Sequence, residues 1–268
     1  MDDPIAVPKA KKWRVEGGIM SIKKHHVKSK LAVAYQLIHT PKIAAHIPKT
    51  ELLYKNSLKR MIKKYDKVYL KPDRGRKSRG VIRIERLKDD RFKIRYGSHK
   101  KYADRKEIWE KVDSLTKDKK YIIQQAIDSV TKDRRHFDLR CHVLRIHGKW
   151  VVGGICGRLG APGSIVTTSH LGGTPTPIYT LFTRHLKYSS KESIKMILQL
   201  KECALKTVKV VSQMYPNLKE FAVDMGIDRK KRIWIYEVNI EPLTKGNFKM
   251  LPDKTLYRKI QRMRKIAK

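Results

Sequence analysis

The sequence predicts an α+β fold built on antiparallel sheets, and three observations predict it. Short runs of alternating apolar and polar residues recur between Lys67 and Asn239, bounded by Gly, Pro or charged turns. Several of these runs come in pairs joined by a few polar residues, as hairpins require. One long helical pattern, Ser189 to Met214, ends just before Pro216.

Residues 1 to about 20 carry mixed charge, Pro4, Pro8 and Gly17-Gly18, and read as a tail or an edge piece. Ser29 to Leu37 reads as a helix with Leu31, Ala34, Tyr35 and Leu37 tending to one side. Pro41 and Pro48 punctuate the next stretch. Thr50 is placed to cap a helix running through Leu52, Leu58 and Met61 to Lys64. Lys67 to Lys71 is a short strand stopped by Pro72 and the loop Asp73 to Gly80. Val81 to Ile84 and Phe92 to Tyr96 form the next hairpin. A helix over Ala103 to Ser114 leads into the apolar strand Tyr121 to Ile127. His136 to Ile146 pairs with Lys149 to Arg158 across His147-Gly148, and a Gly/Thr-rich loop from Gly160 to Pro177 comes after it. The last hairpin joins Phe221–Asp228 to Arg232–Asn239 through Asp228-Arg-Lys-Lys231. Lys254 to Lys268 is a basic helix or arm.

At 268 residues the chain can bury a real core. Its 40% hydrophobic content in patterned runs excludes a disordered polycation. No apolar run reaches the roughly 20 residues of a membrane-spanning helix, and the N-terminus lacks the apolar stretch of a secretory signal. Cys141, Cys156 and Cys203 are odd in number and lack metal-ligand spacing, which suits a reducing interior. The expected location is cytoplasmic. The 63 Lys+Arg against 25 Asp+Glu give a net charge of +38, which attracts anionic partners without identifying one.

Three constellations could carry chemistry. Antiparallel pairing of the last hairpin brings Asp224 close to Glu237 and Asn239, a set of hard oxygen ligands suited to Mg²⁺. The same acids would serve equally in an ordinary hairpin salt-bridged to nearby lysines. Lys71, at a strand end before Gly75 and Gly80, is placed to bring an ammonium and backbone N–H groups onto phosphate oxygens. Val81 follows Gly80 where a Walker A loop has Lys, so that motif is absent, and a solvated basic turn is the alternative. Asp138 and Arg140 share a strand face, with Arg158 on the next strand. They form either an internal pair or a guanidinium site for a carboxylate. His170, alone in its loop, is a weaker candidate for a base.

Taken in order, Tyr69-Leu-Lys-Pro-Asp-Arg-Gly75, Phe137-Asp-Leu-Arg140, Arg158 with Ala161 to Gly173, and Val223-Asp224 with Trp234 to Asn239 resemble the ATP-grasp superfamily. The closest likeness is to the YheC/YheD family of endospore coat-associated proteins. A more distant similarity is to the ribosomal-protein glutamate ligase. The resemblance spans about Lys30 to Lys249 and implies an ATP-grasp fold, two α+β subdomains enclosing a nucleotide cleft. It divides the chain into a basic tail (1–20), a short helical N-terminal segment (21–65), an N-terminal subdomain (66–127), a C-terminal subdomain (128–249) and a basic arm (250–268). The N-terminal α/β domain of typical ligases is then missing or vestigial.

The resemblance also implies residue roles. Lys30 and Lys71 match phosphate-binding lysines, and Gly75 to Gly80 would close over the phosphates. Gln124, Gln125, Ala126 and Ile127 match the strand whose backbone meets adenine, with Asp128 toward the ribose. Asp224, Glu237 and Asn239 match magnesium ligands. Arg140 and Arg158 match catalytic basic residues at the acceptor end. ATP and Mg²⁺ are the implied cofactors. The implied reaction is ligation of a carboxylate to an amine through an acylphosphate, with an acidic peptide or coat protein as acceptor and the endospore coat as location. Two features depart from the family pattern: Thr168 stands where Asn is frequent, and the loop after Lys71 is crowded with Arg and Lys. A structural coat protein that keeps the fold without turnover is one alternative. A nucleic-acid-binding protein is another, although no recognisable module or aromatic stacking platform supports it.

Overall fold

A computed structural model describes residues 13–15, 18–20, 29–75 and 77–267. Residues 1–12, most of the segment read as a tail, lie outside the described residues, as does Arg76 in the glycine loop. Strands β1 (Trp13–Val15) and β2 (Gly18–Met20) form a small antiparallel pair with Trp13 opposite Met20.

Two larger sheets are also antiparallel. The first contains β3 (Thr50–Leu52), β4 (Lys67–Pro72), β5 (Ile82–Arg86), β6 (Phe92–Tyr96), β7 (His99–Ala103) and β8 (Tyr121–Gln125), in the order β3-β8-β4-β5-β6-β7. The second contains β9 (Phe137–Ile146), β10 (Lys149–Leu159), β11 (Thr174–Pro177), β12 (Glu220–Ile227) and β13 (Ile233–Ile240), in the order β11-β10-β9-β12-β13. Helices α1 (Lys30–Ile38), α2 (Pro41–Ala44), α3 (Lys55–Lys64), α4 (Ile108–Thr116), α5 (Ile178–Thr180), α6 (Ser190–Met214) and α7 (Thr255–Ile266) are accompanied by short 3-10 or π segments at Ser169–Leu171, Leu181–His185 and Phe248–Met250.

The period-two pattern of β9 explains how the second sheet acquires two unlike faces. Leu139, Cys141 and Val143 point to one side and pack on α6 through Met196, Leu200, Ala204, Val208 and Val211, which recur at helical spacing. Val33 and Leu37 of α1 and Ile43 of α2 enter the same core. Each such side chain, once buried, contributes about 1.5–3 kcal/mol. Asp138, Arg140, His142 and Leu144 point to the other side. Toward the Leu144 end that face is apolar and carries α7, with Leu144, Cys156, Phe248, Leu251 and Ile260 buried together. Toward the Asp138 end it is charged.

The first sheet has its own core. Leu58, Met61 and Ile62 of α3 and Ile108 and Val112 of α4 pack on Val68, Leu70, Ile84, Ile94 and Ile123. Lys67, Tyr69 and Lys71 therefore lie on the opposite face of β4, where Arg83 and Gln124 both stand in register with Tyr69.

Two elements differ from their sequence expectation, and a third takes one of the two forms expected of it. Thr50 begins strand β3, not a helix; α3 starts only at Lys55, capped by Tyr54 with the Ser57 hydroxyl accepting from the Tyr54 amide at 2.8 Å. His99–Ala103 is an edge strand and α4 begins at Ile108, because four exposed polar positions of β7 hide its pairing with β6. The basic C-terminal segment is a helix anchored by Ile260, and Ala267 forms a bridge back to Ile146.

One irregularity shapes the charged face. The β12–β13 register shifts after Asp224, so that Asp224 faces Glu237 while Met225 faces Ile235. Tyr236 is the extra residue of a bulge. Ile235 and Val238 consequently both enter the core, while Tyr236, Glu237 and Asn239 all reach the charged face. Gly226 makes room for this: a Cβ there would lie 1.8 Å from the Tyr236 hydroxyl and 2.4 Å from Ser129 Oγ.

Gly226→Ala is expected to destabilise the fold by about 1–3 kcal/mol, read as a lower denaturant midpoint with unchanged slope. Wild-type stability in this variant would contradict the packing described for Tyr236.

Candidate active site

The charged face of the second sheet and the Tyr69–Lys71 face of the first look onto one cavity of about 640 Å³. Lys30, Lys71, Asp138, Arg140, Arg158, Asp224, Glu237 and Asn239 all line it. Gly75, Lys77, Ser78 and Arg79 contribute from the glycine loop. Residues far apart in the chain, from Lys30 to Asn239, are thus brought together by two sheet registers and one helix start.

The helix start is fixed by Asp73. Its buried carboxylate accepts from Ser29 Oγ and from the Leu31 amide, both at 2.9 Å, while Ser29 Oγ also accepts from the Ala32 amide at 3.1 Å. The Lys30 amide donates to the Asp73 carbonyl at 3.1 Å. This clamp ties α1 to the loop after β4 and aims Lys30 inward. Its Nζ donates to the Gly75 carbonyl at 3.0 Å and lies 3.5 Å from Glu237 Oε1.

Lys71 donates from Nζ to Gln124 Oε1 at 2.6 Å, and Gln124 Nε2 in turn donates to Thr50 Oγ1 at 2.9 Å. Burial lowers the Lys71 pKa; Glu237 opposes that shift and Lys30 adds to it. An ammonium so placed gains from an added polyanion.

On the facing sheet each guanidinium spans a carboxylate on the neighbouring strand. Arg140 donates to Asp224 at 2.8 and 2.7 Å, and Arg158 donates to Asp138 at 2.6 and 2.7 Å. Asp138 and Arg140 share a face, but each bonds its partner in register and not the other. Arg158 Nη2 also lies 3.0 Å from Asp224 Oδ2, and Thr167 Oγ1 donates to Asp138 at 2.6 Å. Burial alone would raise the Asp224 pKa, yet Arg140 and Arg158 hold it well below the usual carboxylate range.

Asn239 Nδ2 donates to Asp224 Oδ2 at 3.0 Å, which leaves the Asn239 carbonyl oxygen as an acceptor. Among the described residues no three His, Cys, Asp or Glu side chains cluster as a metal centre. Glu237 and Asn239 offer hard oxygens that fit a Mg²⁺ ion. Asp224 is already engaged by two arginines, and Oδ1 is the less crowded of its oxygens.

The remaining expected positions divide. Gln124, Gln125 and Ile127 reach the cavity wall, whereas Ala126 and Asp128 are not among its lining residues. The Gln125 and Ala126 amides donate to the Lys49 and Lys67 carbonyls, and Asp128 pairs with Lys67 at 3.3 Å. Gly80 is also off the wall. It packs beneath Tyr121 with φ +73°, a conformation that favours glycine.

Sequence reasoning missed Asp73, Tyr69, Tyr236 and His136. Tyr69 Oη donates to the Ile165 carbonyl at 2.8 Å, and Tyr236 and Ser129 share a hydroxyl pair at 2.5 Å. His136 accepts from Arg83 at 2.8 Å; burial, then the Arg83 charge, pushes its pKa down to about 4. Thr168 Oγ1 is buried without a hydrogen-bond partner on the same wall. Also missed was the far end of the cavity, built by residues 240–247 with Tyr257, Gln261 and Arg264 of α7.

The family description "YheC/D like ATP-grasp" matches residues 18–268. The chain belongs to this family. Among YheC/D-like relatives, the endospore coat-associated protein YheD of Bacillus subtilis (strain 168) is 24% identical over 211 residues, covering 75% of this chain and 45% of its own. The VanG D-Ala:D-Ser ligase of Enterococcus faecalis has a similar structure, with a TM-score of 0.50 and 15% identity over 80% of this chain and 52% of its own. A D-alanine-D-alanine ligase from Coxiella burnetii gives 0.48 at 11% identity, over 88% and 53%. The family match gives the ATP-grasp fold, the VanG ligase shares its architecture, and this chain spans about half the length of the proteins it matches.

Asp73→Ala is expected to leave the Ser29 hydroxyl and Leu31 amide without their acceptor, costing about 1–3 kcal/mol. Thermal melting should show a lowered midpoint; an unchanged one would remove Asp73 as the anchor of Lys30.

Proposed function

We propose that the cleft binds Mg-ATP and that the chain joins a carboxylate to an amine through an acylphosphate. The observation that carries this reading is the convergence of Lys30, Lys71, Glu237 and Asn239 on one cavity beneath the glycine loop. Family membership supports the nucleotide; the chemistry of the walls supports the rest.

Lys71 and Lys30 are the groups to meet phosphate oxygens; Lys71 is now held by the neutral Gln124 Oε1, and Lys30 by the Gly75 carbonyl with the Glu237 carboxylate 3.5 Å away. Glu237 and Asn239 would hold Mg²⁺, with Asp224 Oδ1 beside them. Bound there, the ion would neutralise charge on the β- and γ-phosphates. An acceptor carboxylate oxygen attacks the γ-phosphorus in line as the bond to ADP breaks. The amine then attacks the acyl carbon, loses a proton, and inorganic phosphate departs. In this reading Arg140 and Arg158 stand at the acceptor side, each compensated by the carboxylate that it spans. An acidic acceptor suits the net charge of +38. The coat association of YheD makes a coat protein a reasonable acceptor and the endospore coat a reasonable location. No helix among the described residues is long and apolar enough to cross a membrane.

One observation favours a second reading. The forks of Arg140 and Arg158 are filled by Asp224 and Asp138, so neither is free for a transferred phosphoryl group as the structure stands. A coat protein that binds nucleotide without turnover would keep this arrangement.

Titration calorimetry with a nonhydrolysable ATP analogue and magnesium tests the site. Lys71→Ala and Glu237→Ala should each weaken binding about tenfold or more, and unchanged affinity in both variants would reject it. ADP release with candidate acceptors separates ligation from binding alone. The lowered Lys71 pKa adds a signed expectation. Bound polyphosphate favours the ammonium, so binding should take up a proton between the depressed value and the higher value of the complex, and affinity should fall as pH rises through that window. Lys71→Arg, charged throughout, should abolish the uptake; equal uptake in that variant would contradict the role given to Lys71.

A further inference from the structure

Helix α7 presents three faces, of which two are occupied by the core and the cavity. Leu256, Ile260 and Met263 face the small core over Leu144 and Cys156. One residue further round, Tyr257, Gln261 and Arg264 line the far end of the cavity. One residue further again, Arg258, Arg262 and Lys265 form an exposed basic stripe, flanked by Lys259. Consecutive helical residues are rotated by about 100°, so the basic stripe borders the cavity-lining stripe along the whole helix.

The border is rigidly built. Arg264 donates bidentately to Glu220 at 2.8 and 3.0 Å, and its guanidinium also reaches the Pro242 carbonyl at 2.9 Å and Thr244 Oγ1 at 3.2 Å. Gln261 Nε2 adds a bond to Thr244 Oγ1 at 3.3 Å. Residues 242–244 of the cavity wall are therefore fastened to α7. Their neighbours Lys245 and Lys249 are exposed and extend the positive charge.

We infer that the outer face of α7 is a docking track for an acidic peptide segment whose carboxylate enters the far end of the cavity. The inference deepens the ligase reading and rests on it for the fate of that carboxylate. The exposed apolar residues near the track are the aliphatic Leu243, Met250 and Ile266, and Leu243 also lines the cavity. Aliphatic contacts between cations suit a peptide with acidic and apolar side chains; the ring on the bordering stripe, Tyr257, is half-buried against the small core and presents no open face for base stacking.

The test uses the full chain and a fluorescein-labelled peptide of alternating glutamate and leucine, followed by anisotropy. Arg258→Gln, Arg262→Gln and Lys265→Gln combined should weaken peptide binding about tenfold and leave the affinity for the magnesium–ATP analogue unchanged. A charge-matched control, Lys195→Gln, Lys201→Gln and Lys209→Gln on the exposed side of α6, removes three positive charges behind the other face of the sheet. Peptide binding should survive in it. Equal losses in the two triple variants would show general attraction to a basic protein and overturn the track. So would tighter binding of a single-stranded oligonucleotide of the same charge that the α7 variant abolishes. Peptide binding that depends on α7 in a chain that fails to bind the ATP analogue would uphold the track and remove the ligase reading. The reverse result, nucleotide bound and the peptide indifferent to α7, would remove the track alone.

Discussion

Lys30, Lys71, Arg140 and Arg158 share one cleft with Asp138, Asp224 and Glu237. The pairing of Arg140 with Asp224 and Arg158 with Asp138 organises the floor that the second sheet contributes. These four charges are largely withdrawn from water, and a buried charge persists only where a partner compensates it. The pairs lie in register across β10, β9 and β12, so the strand alignment and the ion pairs specify each other. Asn239 is oriented by its bond to Asp224, and Glu237 is carried beside it by the bulge at Tyr236. Removing Arg158 would leave Asp138 with the Thr167 hydroxyl alone, whereas Asp224 would keep Arg158 and Asn239 if Arg140 were lost.

The opposite wall combines neutral acceptors with two carboxylates, Asp73 at the helix start and Glu237 across from Lys30. Lys71 rests on Gln124, and Lys30 rests on a carbonyl of the loop that its own helix start holds in place. The Lys71 ammonium is poised: its amide acceptor satisfies geometry but neutralises little charge, whereas Lys30 is partly compensated by Glu237 at 3.5 Å. The contrast between a charge-compensated floor and an under-compensated Lys71 accounts for why the cleft should favour a polyanion over a small neutral ligand.

Much of this was legible in the sequence, for identifiable reasons. Alternation in Phe137–Ile146 and Phe221–Asp228 fixed both strands and the face shared by Asp138 and Arg140, because period two survives without tertiary context. The break in that alternation between Ile235 and Val238 marks the bulge, though only the partner strand shows which residue is extra. The pairing of Arg140 with Asp224 was not readable, since register between distant strands has no local signal. Asp73 was hidden among Arg74, Lys77 and Arg79, where one acid in a basic loop looks like a solvated turn. Residues 250–268 showed their charge, while the anchoring of Ile260 and the inward turn of Tyr257, Gln261 and Arg264 depend on a sheet formed by other segments.

The central claim is that two remote basic and acidic segments hold one metal-bound triphosphate between them. A crystal structure with a nonhydrolysable ATP analogue and Mn²⁺, located by its anomalous scattering, tests it most directly. The account predicts phosphate oxygens on the Lys30 and Lys71 ammonium groups and an anomalous peak on the oxygens of Glu237 and Asn239. Nucleotide bound elsewhere, or bound here with no metal at Glu237 and Asn239, would contradict it.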